Sequence, residues 1–134
     1  MSGKIRRSVV AVAVGAVMAI SGVVTALPAS AADHTFSCSI GVPGWYSCAS
    51  DNYNVAPGQQ VSIALNTSGG KGVWFAVKNL KGNHLLSSPG VKQSPNGSFY
   101  YYWTNNTSSN ITIDIQADAD AIVNVYAVAT LRIQ

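Results

Sequence analysis

The chain has no glutamate anywhere, two histidines, two cysteines and only one residue in ten charged. Acid–base catalysis needs titratable groups held together. With five aspartates as the only acids and His34 and His84 as the only histidines, the stock of such groups is small. No G-x-S-x-G elbow, phosphate-binding glycine loop or H-E-x-x-H pair occurs. A spatial Ser–His–Asp set could be built on His84 and the several serines. His84 follows the Lys81-Gly82-Asn83 turn, where a solvated loop histidine is the simpler expectation. A non-enzymatic role is therefore expected.

Positive charge is scarce once the beginning of the chain is set aside. Lys4, Arg6 and Arg7 precede an apolar run from Val9 to Ile20, and Pro28 and Ala29-Ser30-Ala31 follow. A basic start, an apolar core and an A-x-A site are the three parts of a secretory signal peptide, here residues 1–31 with cleavage after Ala31. The Ala/Val-rich segment ending in A-S-A resembles the signals of secreted actinobacterial proteins. Arg6-Arg7 touches the twin-arginine export pattern, but Ile5 stands where a polar residue is usual, which favours ordinary export.

Residues 32–134 then hold five cations (Lys71, Lys78, Lys81, Lys92, Arg132) against five acids (Asp33, Asp51, Asp114, Asp118, Asp120). The mature part is formally neutral. Binding to nucleic acid rests on a basic patch that neutralises phosphates, and five scattered cations argue against one. After removal of the signal, no membrane association is expected.

Cys38 and Cys48 admit one pairing. In a small exported domain they read as a disulfide, with Val42-Pro43-Gly44 as the turn between them and the bridge stapling a hairpin. No cofactor is expected.

Helical periodicity is also missing. Alternation with period two recurs instead: Val61, Ile63 and Leu65; Val73, Phe75 and Val77; Ile111, Ile113 and Ile115. Gly-, Pro- and Asn-rich turns separate these runs at short intervals. The pattern predicts one all-β domain over 32–134, an antiparallel sandwich of about seven or eight short strands. Ala121 to Ile133 is apolar on both faces, which predicts a central strand covered on both sides. The Pro57-Gly58-Gln59-Gln60-Val61 start and the strand spacing after it are loosely similar to sandwich modules of secreted bacterial hydrolases. That likeness transfers no residue's role.

Three groups of residues suggest chemistry. Asp114, Asp118 and Asp120 could offer carboxylates to calcium, although two acids on alternate positions without a glutamate read more simply as a polar turn. After cleavage, Ala32-Asp33-His34 would present an amine, two amides and an imidazole, the nitrogen-rich square-planar set that Cu²⁺ or Ni²⁺ favours, provided the terminus is flexible. The third group is aromatic. All twelve aromatic residues lie after residue 31, and Phe99-Tyr100-Tyr101-Tyr102-Trp103 are consecutive. Strict alternation would put Phe99, Tyr101 and Trp103 on one face and Tyr100 and Tyr102 on the other.

Aromatic faces on a rigid sheet suit the stacking of sugar rings, with Asn, Gln and Ser to bond their hydroxyls. Trp74, Tyr100, Tyr102 and Trp45 are the candidate ligand residues, and Tyr46 and Tyr53 are further aromatics in the same part of the chain as Trp45. The expected role is a secreted non-catalytic binding module for polysaccharide or cell-wall glycan. The alternatives are a self-associating surface protein and a small inhibitor or antimicrobial effector contacting its target through Ile40 to Trp45. Asn66, Asn96, Asn105, Asn106 and Asn110 each start an N-x-S/T triplet and read as polar turns.

Overall fold

The computed structural model describes residues 31–41, 44–48, 52–87 and 90–134. Residues 1–30 of the expected leader and the Val42-Pro43 part of the expected turn lie outside the described residues. The fold is all-β. Its nine strands are β1 (Ala32–Ile40), β2 (Tyr46–Ser47), β3 (Tyr53–Val55), β4 (Gln60–Thr67), β5 (Val73–Asn79), β6 (His84–Leu85), β7 (Phe99–Thr104), β8 (Ile111–Ala119) and β9 (Val125–Ile133). The period-two runs become β4, β5 and β8. No helix among the described residues is long and apolar enough to cross a membrane.

The strands form two antiparallel sheets. The first has the order β1-β9-β4-β7; the second has β2-β8-β5-β6, with β3 also paired to β8. The long strands turn alternate side chains inward, as a half-buried pleat requires. Val61, Ile63 and Leu65 from β4 and Ala127, Ala129 and Leu131 from β9 meet Val73, Phe75, Val77, Ile113, Ile115 and Ala117 from the second sheet. Phe36 of β1 packs edge-on to Phe75 of β5, with ring centroids 6.1 Å apart.

β9 is central in its sheet, as its composition predicts, but only one of its faces is covered. Val125, Ala127, Ala129, Leu131 and Ile133 are buried, whereas Tyr126 is well exposed and Val128, Thr130 and Arg132 are half-buried on the outer side. The outer side of this sheet is partly open, with Tyr126 and Tyr101 well exposed and Ser62 and Ala64 buried.

The Cys38–Cys48 disulfide forms, and it ties sheet to sheet. Cys38 sits in β1 of the first sheet, while Cys48 follows β2 of the second and bonds through its amide to the Ile115 carbonyl at 2.9 Å. The short connection between the cysteines therefore crosses the sandwich instead of closing a ladder of paired strands.

Two buried polar side chains complete the frame. Gln93, fully enclosed, exchanges backbone bonds with Val73 of β5 and sends its amide to β4: Oε1 accepts from the Leu65 amide at 2.9 Å, and Nε2 donates to the Ile63 carbonyl at 3.1 Å. Asn105 donates to the carbonyls of Val55 and Ser109, both at 2.9 Å, and its carbonyl oxygen accepts from the Thr107 amide and hydroxyl. It holds the loop before β8 against β3. Of the five N-x-S/T asparagines it is the fully buried one, and its side-chain amide is committed inside the fold.

Candidate functional site

Outward-facing side chains of the second sheet come from alternate positions of β8 (Asp114, Gln116, Asp118) and β5 (Trp74, Ala76, Lys78). The register sets Gln116 beside Ala76 and Asp114 beside Lys78, and Lys78 is in turn opposite Leu85 of β6. Trp45 enters one residue before β2, whose Tyr46 and Ser47 pair with Ala117 and Gln116.

Because Ala76 carries only a methyl group between longer neighbours, the sheet surface sinks there. A depression of about 370 Å³ results, lined by Trp45, Ala76, Lys78, Asn83, Leu85 and Gln116. Trp45 and Leu85 are large apolar residues left 40 % and 50 % exposed at its two ends, whereas Ala76 is buried at its floor. Asn83 comes from the β5–β6 turn with φ near 53°, next to Gly82 at 97°. Asn and Gly are the residues that tolerate such a left-handed turn, so turn chemistry is what brings the Asn83 amide to the rim.

The cross-strand neighbour of Lys78 is engaged elsewhere: Asp114 accepts a 2.8 Å hydrogen bond from the Ser47 hydroxyl. Trp74 occupies the same face two residues before Ala76. It is half-buried, with Lys92 Nζ 5.5 Å from its ring centroid and Asp118 as its cross-strand partner. Lys92 also pairs with Asp120 at 2.8 Å, and its ammonium holds the Asp120 carboxyl below the usual carboxylate range.

The four candidates from the sequence thus divide between the two sheets. Trp45 and Trp74 share the outer face of the second sheet, but only Trp45 lines the depression. Tyr100 and Tyr102 belong to β7 at the edge of the first sheet, where alternation is interrupted. Val61 pairs with Trp103 and the next residue of β4, Ser62, with Tyr101, so Tyr102 is the extra residue of a bulge in β7. Tyr102 and Trp103 consequently both pack against the core, in place of the strict alternation of the five aromatics. Tyr101 is the β7 aromatic most exposed to solvent. Burial pushes the Tyr102 hydroxyl's pKa up, against the bond from Gln93 and with the neighbouring Tyr100 adding to the rise. Tyr100, Tyr101 and Tyr102 line a small separate cleft of about 120 Å³ with Gly90 and Val91.

On the outer face of the first sheet, Arg132 grips Asp33 with two 2.8 Å bonds and lies 3.9 Å over the Phe99 ring. The hydrogen bond from the guanidinium holds the Asp33 carboxyl below its usual range. Ser62, opposite Arg132, and Ala64, opposite Phe99, are covered although they point away from the core.

Ala32, Asp33 and His34 are strand residues, in register with Ile133, Arg132 and Leu131. The His34 ring lies 5.1 Å from that of Tyr53. Copper chelation by an amine, two amides and an imidazole would have to strip three residues from the β1–β9 ladder. Asp114, Asp118 and Asp120 are likewise dispersed: they accept from Ser47, from the Ala119 amide and from Lys92 respectively. Among the described residues no three metal-ligating side chains cluster. His84 is exposed on β6, and residues 42–43 of the Ile40 to Trp45 connection are outside the described residues.

The sequence alone did not single out Ala76, Gln116, Lys78, Asn83 or Leu85. Alternation marks the first three as outward-facing, but their meeting depends on the β5–β8 register and on β6 folding back beside Lys78.

No family model matches the chain, and no curated protein matches it. Among solved structures it is similar to a chain from the "Structure of infectious bursal disease virus Gx strain", with a TM-score of 0.40 and 10 % sequence identity. The similarity covers 79 % of this chain and 31 % of that one.

Proposed function

We propose that this protein is a secreted, non-catalytic binding module that takes polysaccharide on the outer face of its second sheet. The observation that carries the reading is the depression between Trp45 and Leu85. Apolar walls suit the C–H faces of a pyranose, and the Gln116, Asn83 and Lys78 heads around the floor suit its hydroxyl edges. Export is supported by the signal-like residues 1–31 and by the disulfide, which persists in oxidising surroundings. The actinobacterial look of the leader favours a bacterial cell-wall or environmental glycan.

The test is depletion of the oxidised protein from solution by insoluble chitin, cellulose and peptidoglycan. Binding to at least one, lost in Trp45→Ala, is the expected result. No depletion on any of the three would overturn the reading.

Self-association is a second reading, favoured by Tyr101 and Tyr126. Both are more than three-fifths exposed on the outer side of the first sheet, and β7 is an edge strand. It predicts sedimentation that depends on concentration and returns to monomer in Tyr101→Ser/Tyr126→Ser.

A further inference from the structure

We infer that the depression on the second sheet receives an internal stretch of a linear β-1,4-linked hexose or N-acetylhexosamine chain, about three rings long, lying across the strands. This rests on the glycan-binding reading above and narrows it to one ligand geometry.

The direction comes from the sheet order. β2 and β6 are the two edges of the path β2-β8-β5-β6, and the walls of the depression, Trp45 and Leu85, come from those two edges. The floor between them is Gln116 of β8 and its register partner Ala76 of β5. Its long axis therefore crosses all four strands. The registers put Trp45 near the Trp74 level and Leu85 beside Lys78, so the axis runs obliquely. The three inter-strand spacings of about 14 Å are its minimum length, enough for three pyranose rings in an extended chain.

The ends matter as much as the length. The end walls are Leu85 on the two-residue edge strand β6 and Trp45 just before the two-residue edge strand β2. They are 50 % and 40 % exposed, so a chain can run on past either edge. A site for a single sugar or a chain terminus would need one end closed. The floor adds a steric condition. Ala76 lies between Trp74 and Lys78 on the outward positions of β5, and any longer side chain there would fill the channel.

Chemistry and shape then select the linkage. A β-1,4 chain is flat and extended, with apolar ring faces and hydroxyl edges along its length. Its faces can meet Trp45 at one edge and Leu85 at the other while its hydroxyls reach Gln116, Asn83 and Lys78. An α-1,4 chain curls, and only one ring at a time would reach the floor. Glucose and N-acetylglucosamine units share this geometry, and the test distinguishes them.

The experiment is a titration of the oxidised protein with chito- and cello-oligosaccharides of one to six units, with malto-oligosaccharides as the curled control, followed by tryptophan fluorescence and by NMR shifts of the Gln116 amide. In at least one β-1,4 series the affinity is expected to rise about ten-fold or more from one unit to three and to change little beyond three. The tighter series names the sugar. Ala76→Leu is expected to abolish trisaccharide binding. Leu85→Ala, an exposed change that keeps the fold, is expected to weaken trisaccharide binding.

Equal affinities for one and three units would overturn the inference, as would maltotriose binding as tightly as its β-1,4 counterparts. Full trisaccharide affinity in Leu85→Ala would do the same. If insoluble glycan is depleted through Trp45 while the length series is flat, this inference fails and the glycan-binding reading stands. If no glycan of any kind binds, both fail.

Discussion

The Tyr102 hydroxyl accepts a 2.8 Å hydrogen bond from Nε2 of the buried Gln93. Gln93 thereby touches β4, β5 and β7 at once, through its side chain on the first sheet and its backbone on the second. Replacing it with leucine leaves the Leu65 amide and the Ile63 carbonyl without their partner inside the sandwich. The expected cost is about 2–3 kcal/mol, the scale of unsatisfied buried polar groups. Tyr102→Phe removes one bond and should cost about 1 kcal/mol. Urea midpoints of the two variants check both, and a neutral Gln93→Leu would refute the role given to this residue.

Reduction of the Cys38–Cys48 bridge releases a connection of sequence separation 10. Loop-closure entropy puts the loss near 3 kcal/mol, to within about 1 kcal/mol. For a domain of this size that corresponds to a fall in Tm of roughly 12–24 °C. Calorimetry with and without reductant, and of Cys38→Ser/Cys48→Ser, gives the measurement.

Copper offers a sharp contrast between folded and unfolded chain. Asp33 is held by Arg132 and His34 lies beside Tyr53, so a protein beginning at Ala32 should take up Cu²⁺ weakly when native. In urea the same terminus is free to wrap the metal. Visible absorption titrations in the two conditions should differ clearly, and tight native uptake that leaves the β1 amides protected from exchange would contradict the strand placement.

Acid should weaken the protein through two exposed pairs. Asp33 and Asp120 have carboxyl pKa values lowered in the fold, chiefly by hydrogen bonds from Arg132 and Lys92. A group lowered in this way stabilises the fold above its unfolded value, about 3.9. That contribution is lost as pH falls through the lower folded value. Both pairs face solvent, so the effect is small and shrinks in salt. Urea midpoints between pH 6 and pH 2 should fall less steeply in Asp33→Asn and Asp120→Asn than in the parent chain.

The all-β class, the runs that became β4, β5 and β8, and the cysteine pair were legible because each depends on local pattern. Alternation fixes which side of a strand is apolar, and Val61-Ile63-Leu65 needs no partner to declare it. What the pattern could not carry was pairing. The bulge that turns Tyr102 and Trp103 together toward the core lies in β7 itself, with Tyr102 as the extra residue, and only the pairing with β4 reveals it. Asn105 read as a polar turn and Gln93 drew no reading, since nothing near them in sequence says that their partners, Val55 and Ile63, lie 50 and 30 positions away. Trp45 was legible as a candidate through its ring alone. Leu85, the opposite wall, became visible only once β6 lay beside Lys78.

The β1–β9 pairing runs from Ala32↔Ile133 to Ile40↔Val125, so the first residue of one strand and the last of the other are side-by-side neighbours in the first sheet. Any cargo, linker or solid support joined before Ala32 or after Ile133 leaves from the same corner of the molecule. That corner belongs to the layer opposite Trp45 and Leu85. A display format anchored through either end would present the same surface outward, and joining the two ends to open the chain at an exposed turn such as Lys81-Gly82-Asn83 would leave the strand order unchanged.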